Sequence, residues 1–595
     1  MPITAALPRW DMQVVFPSLN SIEFHSAFLE LERGIESLEA LFHHYSIDKG
    51  SSHGIEVFDE LLSTYNGVAE QLRTVNAYIH AFTTTDSRDE LASAKDSEID
   101  LLHVRMRKVT KRFNAWIGDI DLNALLESSE IARDHEYPLI KAKISATHMM
   151  RSGEEMLASE LEVSGMMAWS KLHSNMTSQI QVPIEVDGKQ ELLPMSLVRT
   201  MAHSADRSQR QKAYSAELAT WKTVEVPLSA AMNSIKGEVV TLSRHRKWDD
   251  PLDEALLNSN INRQTLDAMM LAARESFPLF RRYLRAKAKA LGLEKLAFYD
   301  LFAPLGDGGQ KWEYSDACDF VVEQFRTYSD KLGDFAARAF RENWVDVEPR
   351  SGKADGAFCM SLRGDESRIL MNYKPAFGAV STLAHELGHG YHNLCLDGRT
   401  QVQRSTPMTL AETASIFCET IIRQAVVKNG TPSQQLEVLE ASLTGSCQVV
   451  VDIASRFLFE QGVFEARKKR ELSAREMCEL MRRAQLDTYG DGLDSDALHP
   501  YMWAAKPHYY GRSFYNFPYM FGLLFGLGLY AVYQRDPEPF KERYDDLLSS
   551  TGLADAATLA KRFGIDIRTP AFWRASLDQI RKDVERFEAI IEEKR

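Results

Sequence analysis

Apolar residues recur at the three- and four-residue spacing of an amphipathic helix along most of this chain. The pattern predicts long helices over 21–45, 54–83, 87–116, 154–172, 202–244 and 262–291. Charged residues fill the positions between the apolar ones, as expected where one side of each helix faces a core and the other faces water. The chain is therefore predicted to be mainly α-helical.

Two short stretches consist of strand-like segments on either side of a tight turn. Residues 180–193 contain an Asp-Gly turn, and residues 356–373 contain a Gly-Asp turn. We expect each stretch to form a β-hairpin. The second hairpin leads directly into the most distinctive motif of the chain.

That motif is H-E-x-x-H at residues 385–389, within apolar residues at helical spacing. Its two histidines are expected one turn apart on the same face of a helix. His385 and His389 so placed can bind one zinc ion, and Glu386 can accept a proton from water at that ion. On these five residues alone, an incidental pair of histidines remains the alternative.

A catalytic zinc site needs a third protein ligand. We interpret His392 as a residue that packs beside the ligands or orients them, and Cys395 as a small apolar residue. Residues 410–419 predict a second helix, on which Glu412 and Glu419 share a face. Glu412 is a candidate third ligand, and Glu419 a candidate partner for the second ring nitrogen of a ligating histidine. Spacing alone equally allows both glutamates to be solvated.

At these positions the chain resembles the thimet-oligopeptidase and oligoendopeptidase F family of zinc metallopeptidases, and is most similar to the oligoendopeptidase F branch. The resemblance rests on residues 369–373, 382–392, 411–415 and 503–522. The resemblance, with a boundary placed where the first predicted hairpin ends, gives an N-terminal helical region, 1–200, and a zinc peptidase catalytic region, 201–595. It also implies a large multi-helix fold, with two helical halves around a deep substrate channel and small β-hairpins near the site.

The resemblance implies that one zinc ion is held by His385, His389 and Glu412, and that Glu386 is the catalytic base. The expected partners are oligopeptide substrates, because a deep channel excludes folded proteins.

A cluster near the C-terminus is implied to contact the substrate carbonyl. The catalytic candidates are His508 and a tyrosine; Tyr515 is the first choice, ahead of Tyr509, Tyr510 and Tyr519. Neutral donors of this kind can stabilise the oxyanion that forms during attack on an amide. The alternative is an aromatic core segment.

The hairpin before the motif is expected to bind an extended peptide along its strand edge. The substrate-binding candidates are Gly356, Ala357, Tyr509 and Tyr519. A purely structural hairpin is the alternative.

The predicted function is zinc-dependent hydrolysis of internal bonds in short oligopeptides. One alternative is a helical zinc exopeptidase, either a carboxypeptidase or an aminopeptidase, which would need a group that binds a free terminus. The other is a non-catalytic peptide-binding protein with a zinc ion. The presence of Glu386 argues against the latter, since a structural zinc site has no need of a base.

Composition narrows the possible partners and the cellular compartment. A net charge of −14 argues against nucleic acid as a partner. Six scattered cysteines without a C-x-x-C pair are typical of reduced thiols. The N-terminus has no basic region followed by an apolar core, so we expect a cytoplasmic protein.

The nearly uncharged segment 517–533 is interpreted as a buried helix, with no membrane partner. Nothing in the sequence predicts an oligomeric state.

Overall fold

The structure, a computed structural model, describes residues 7–47, 51, 54–186, 188–305 and 310–593. Its elements form two compact units, each built from three segments of the chain. The first unit contains residues 1–149, 310–425 and 532–564, and the second contains 150–309, 426–531 and 565–595. This division describes packing in space, whereas the predicted boundary between 1–200 and 201–595 concerns the sequence and stays a prediction.

The first 180 residues of the chain are mainly helical. Its helices are α1 (Ile22–His44), α2 (Ile55–Thr85), α3 (Glu90–Asp119), α4 (Leu122–Ser128), α5 (Glu130–Asp134), α6 (Glu136–Thr147), α7 (Ser152–Ser164) and α8 (Met166–Gln179). The predicted helices up to residue 116 are confirmed to within a few residues. The single helix predicted over 154–172 is wrong, because Gly165 divides it. Glu238 Oε2 accepts the Met166 N–H at 2.7 Å and fixes the start of the second piece.

The middle of the chain contains every described strand. Its elements are β1 (Gln181–Val186), β2 (Lys189–Pro194), α9 (Met195–Thr200), α10 (Arg207–His245), α11 (Pro251–Asn258), α12 (Arg263–Ala290), α13 (Tyr314–Tyr328), α14 (Asp330–Arg341), β3 (Val345–Asp346), β4 (Phe358–Arg363) and β5 (Glu366–Leu370). Both predicted hairpins are confirmed as antiparallel pairs. Asp187, of the first predicted turn, lies outside the described residues. The parallel strand β3 was not predicted, because two residues carry no periodicity.

The rest of the chain is again helical. Its helices are α15 (Phe377–Cys395), α16 (Met408–Ala411), α17 (Thr413–Asn429), α18 (Pro432–Cys447), α19 (Ile453–Arg467), α20 (Ala474–Tyr489), α21 (Met502–Ala505), α22 (His508–Gly511), α23 (Phe517–Arg535), α24 (Pro537–Ser549), α25 (Ala556–Lys561) and α26 (Pro570–Glu593). A π-helical segment, Gln448–Asp452, joins α18 to α19, and single 3-10 turns occur at Met201–His203, Phe298–Asp300, Gly490–Gly492 and Ser495–Ala497.

The uncharged segment forms α23, most of whose residues are buried. Among the residues that the structure describes, no helix combines the length and the apolar character needed to cross a membrane.

Each unit has an apolar core of its own. In the first unit, α1, α2 and α3 bury Leu31, Tyr78 and Trp116 completely. In the second, alternate residues of β1, Val182 and Ile184, pack with α10 and its neighbours. The mainly α fold class is confirmed, while the substrate channel stays a prediction.

Candidate metal centre

Helix α15 holds the H-E-x-x-H motif in a rigid, largely buried element. Its apolar residues Val380, Leu383 and Leu387 are completely buried. The side chains of His385 and His389 are 24% and 23% exposed, so another molecule can reach them. Their ring centroids lie 4.9 Å apart.

Gly388 lets α15 lie directly against the backbone of the α17 start. A Cβ atom at this position would lie 2.6 Å from both the Ala414 carbonyl oxygen and Ser415 Cα. Contacts of a Cβ atom this short force a displacement, so only glycine fits here without one. The close approach brings the segment around Glu412 beside the motif.

Glu412 lies in a break between α16 and α17. The single helix predicted over 410–419 is wrong at this residue, whose φ and ψ are −87° and 4°. Ser415 Oγ donates a hydrogen bond to Glu412 Oε2 at 2.7 Å. The Tyr544 hydroxyl donates to the Thr413 carbonyl at 3.1 Å. These two bonds hold the break in place.

The three predicted ligands converge on one point. Glu412 Oε2 lies 3.3 Å from His385 Nε2 and 3.4 Å from His389 Nε2. One donor atom from each residue lies within 4.8 Å of the other two, and no other group of His, Cys, Asp and Glu in the described part of the chain meets this spacing. Two imidazoles and one carboxylate are a donor set used by catalytic zinc sites, so the residues fit zinc.

The charge state of Glu412 suits a ligand. Burial acts to raise the pKa of Glu412, but hydrogen bonding with His385 and His389 holds that pKa well below its ordinary value. The carboxylate therefore stays ionised at neutral pH, as metal binding requires.

Glu419 lies at the second ring nitrogen of His385. Its Oε2 is 3.2 Å from His385 Nδ1, and its Oε1 accepts a hydrogen bond from Ser381 Oγ at 3.1 Å. When Nδ1–H donates to Glu419, the lone pair of His385 is on Nε2, the atom that faces Glu412. This contact orients the imidazole for metal binding.

Glu386 is buried beside the ligands with one unsatisfied oxygen. The residue is 6% exposed, and its Oε2 has no hydrogen-bond partner among the described residues. Burial raises the pKa of Glu386 above its ordinary value, and the nearby His385 and His389 act in the opposite direction. A buried, unpaired carboxylate oxygen calls for a partner from outside the chain.

His392 makes other contacts. Its Nε2 lies 3.1 Å from the Leu548 carbonyl oxygen and 3.0 Å from Thr551 Oγ1. Burial lowers the pKa of His392 to about 4, so the ring is neutral. The residue connects α15 to the end of α24.

Three of the predicted C-terminal residues form a cluster within the second unit. The rings of His508 and Tyr515 are 4.9 Å apart, and those of Tyr515 and Tyr519 are 5.7 Å apart. The Tyr519 hydroxyl donates to the Tyr515 hydroxyl at 3.0 Å, which leaves the Tyr515 proton free for another acceptor. Tyr509 is only 1% exposed and packs on Phe459, so its predicted contact with substrate stays a prediction.

An ion pair that sequence reasoning missed supports the backbone before Tyr515. Phe514 has a φ of 52°, which is unfavourable for a residue with a side chain. Its N–H donates to Glu460 Oε1 at 3.0 Å, and Lys236 Nζ donates to the same oxygen at 2.6 Å. Both charged side chains are almost completely buried. No local pattern could have indicated this pair, since its members lie 224 residues apart.

The predicted peptide-binding edge belongs to β4. The sheet order is β3-β5-β4, so among the described residues β4 pairs only with β5. Just before β4, Gly356 has a φ of 81°, and its carbonyl accepts a hydrogen bond from Asn372 Nδ2 at 3.2 Å. Ala357 is half-buried. An extended peptide can add to a sheet only along an outer strand such as this one.

Comparison with known proteins gives the class of protein. The model of Peptidase family M3 matches residues 200–579, more than half of the chain. The chain belongs to this family and is a peptidase by class.

Relatives of the chain match along nearly its whole length. It is similar to the Oligoendopeptidase F homolog of Lactococcus lactis subsp. lactis, at 21% identity over 98% of this chain and 97% of that protein. It is also similar to Oligopeptidase PepF of Bacillus subtilis, at 22% identity over 98% of this chain and 87% of that protein. The crystal structure of oligoendopeptidase-F from Enterococcus faecium matches with a TM-score of 0.70 at 17% identity, over 96% of this chain and 99% of that one. This structural likeness supports the fold.

Proposed function

We propose that the protein is a zinc-dependent endopeptidase that hydrolyses internal bonds of short oligopeptides. The observation that carries the proposal is the convergence of His385, His389 and Glu412 beside Glu386, a buried carboxylate with an unpaired oxygen. Membership of Peptidase family M3 and the names of the relatives support the same reaction.

His385, His389 and Glu412 would hold the zinc ion. When bound, zinc supplies a Lewis acid that polarises the scissile carbonyl and acidifies water. Glu419 keeps His385 in the orientation and tautomer that a ligand needs, through its contact with Nδ1.

Glu386 is the proposed general base and acid. Its free Oε2 takes a proton from the attacking water and then gives it to the leaving amine nitrogen. Low exposure limits competition from bulk water at this oxygen.

His508 and Tyr515 are the proposed donors to the substrate oxyanion. Among the tyrosines, Tyr515 is preferred because its hydroxyl oxygen accepts a hydrogen bond from the Tyr519 hydroxyl, so its own proton stays available for the substrate. Such donors stabilise the charge that develops on the carbonyl oxygen. The outer edge of β4, with Gly356 and Ala357 at its start, would bind the substrate backbone.

The proposal includes a cytoplasmic location, supported by six cysteines that are all free. It also includes restriction to short peptides, for which the names of the relatives are the support.

The test is hydrolysis of an internally quenched peptide blocked at both ends, with mass analysis of the products. We expect internal cleavage that stops with phenanthroline and returns with zinc. A stably folded protein serves as the matched substrate control and should be cleaved slowly or not at all. Cleavage only after one end of the peptide is unblocked would instead establish an exopeptidase.

A further inference from the structure

A second cavity, distinct in its residues from the metal centre, lies within the second unit. Its volume is about 260 Å³, and its walls come from α9, the start of α10, the turn Phe298–Asp300 and the region 499–506. A smaller cavity of about 50 Å³ shares four of its lining residues: Arg199, Phe298, Phe302 and Lys506. The space is large enough for a small organic molecule.

The groups around this cavity carry an excess of positive charge. Arg207 and Arg210 share the buried Asp300, at 3.0 Å and 2.9 Å. Arg199 and His499 approach one carboxylate, that of Glu217. Lys506 takes part in none of the ion pairs of the described residues, and Asp452, which acts on it from a distance, is paired with Arg456. A local positive excess in a chain of net charge −14 favours an anionic ligand.

The surroundings of Lys506 disfavour its positive charge. The residue is half-buried, and burial, with the nearby Arg456, lowers the pKa of Lys506 to about 8. A cation in such a place gains from an anion that binds beside it.

His499, whose Nε2 lies 3.2 Å from Glu217, lines the cavity and has one ring nitrogen without a partner among the described residues. The residue is 2% exposed, and its Nδ1 has no hydrogen bond within the described part of the chain. Its backbone is fixed by Gln485, which accepts from the His499 N–H and donates to its carbonyl, both at 3.0 Å. Tyr214 and Phe298 pack against the ring. The ring of His499 is therefore held rigidly in the cavity wall.

The remaining wall is aromatic. Phe298, Tyr299 and Phe302 line the cavity together with Tyr214. Pockets with an apolar wall and a few fixed polar groups bind ligands that have both characters. An inorganic anion would leave this wall without a contact.

We propose that this cavity binds a small carboxylate that carries an aromatic or apolar group. The carboxylate would lie at Lys506 and Arg199, and the apolar group would pack on Phe298 and Phe302. The ligand is either the C-terminal residue of a peptide or a free carboxylic acid. The proposal uses no residue of the metal centre and stands apart from the proposed function.

Calorimetric titration of the full-length protein with N-acetylphenylalanine tests this proposal. We expect binding that is at least tenfold weaker for N-acetylphenylalaninamide, which lacks the charge. Lys506→Met should weaken binding of the acid by tenfold or more, with Lys506→Gln as a second variant. Lys222→Met removes an exposed charge elsewhere on α10 and should leave binding unchanged. Equal binding of acid and amide, or wild-type binding by both Lys506 variants, would overturn the proposal.

Two further arms of the titration complete the test. Removal of zinc with a chelator should leave acid binding unchanged; loss of binding would assign the ligand to the metal centre and overturn the proposal. Inorganic phosphate should bind at least tenfold more weakly than the acid, and the reverse order would contradict the aromatic part of the site. Equal or tighter binding of N-acetyl-Ala-Ala-Phe would identify a peptide C-terminus as the source, and weaker binding would identify a free acid; either supports the carboxylate site.

Discussion

Two regions of the molecule place a histidine beside a glutamate, half-buried at Glu412 and buried at Glu217, and they differ in what the glutamate faces. At the metal centre, His385 and His389 lie 3.3 Å and 3.4 Å from Glu412, and all three side chains are partly exposed. In the second unit, Glu217 is 3.2 Å from His499, accepts from Trp221 Nε1 at 3.0 Å and lies 3.5 Å from Arg199. The negative charge of Glu217 is therefore balanced by side chains of the protein itself. A contact between a histidine and a glutamate is therefore not enough to indicate a metal site. What distinguishes the metal centre is that three possible ligand atoms meet at a point that another molecule can reach.

The largest expected effect comes from removing the shared carboxylate. Glu412→Gln should release zinc and abolish peptide hydrolysis, because an amide is a poor ligand and two histidines alone bind zinc weakly. We expect a loss of metal affinity greater than the roughly 10–100-fold typical of an outer residue. Atomic emission analysis after dialysis measures the metal.

Glu217→Gln is the matched control, since it alters the other His–Glu pair. It should retain one zinc ion per chain. Retention of zinc by the Glu412 variant, or its loss from the Glu217 variant, would reverse the distinction between the two regions.

The next largest effect concerns Glu419, which contacts the second ring nitrogen of His385. Glu419→Ala should lower zinc affinity by about 10–100-fold, because it removes the acceptor that orients Nδ1. Competition with a fluorescent chelator measures the affinity. Ser381→Ala, which removes only a donor to Glu419, should change it much less. Equal losses in both variants would argue against a specific role for Glu419.

A smaller effect is expected from the packing of the metal helix. Gly388→Ala should lower the free energy of unfolding by about 1–3 kcal/mol, because its Cβ would meet the α17 backbone at 2.6 Å. Gly378→Ala, in the same helix, meets nothing within 4 Å and should be neutral or stabilising by up to about 1 kcal/mol. Urea unfolding compares the two. A neutral Gly388 variant would show that the backbones can separate without cost.

An effect of similar size is a pH dependence at the pair of His499 and Glu217. Burial acts to raise the pKa of Glu217, but His499 and Arg199 lower it to about 2. Because the folded pKa is below the unfolded one, the ionised group stabilises the protein above about pH 4.5 and loses this contribution as the pH falls towards 2. We expect the stability difference between wild type and Glu217→Gln to shrink by about 2 kcal/mol between pH 7 and pH 3. A constant difference would contradict the assignment.

Local patterns in the sequence predicted most of the long helices, both hairpins and the histidine pair of the metal centre, whereas Glu412 as the third ligand was implied by the family resemblance. Periodicity and the four-residue spacing of His385 and His389 are properties of a single helix, so they are visible without the fold. The break at Glu412 was missed because it depends on the backbone contact with Gly388, which no propensity encodes. The Lys236–Glu460 pair and the cavity at Lys506 were missed for the same reason, since distant segments form both.

The central claim is that Glu386 performs the proton transfers at a zinc site which it does not help to form. Its most direct test is the Glu386→Gln variant, loaded with zinc and assayed on the doubly blocked peptide. We predict one zinc ion per chain, as in the wild type, and a turnover number lower by about 10²–10⁴-fold. A zinc-loaded variant that cleaves at the wild-type rate would contradict the claim.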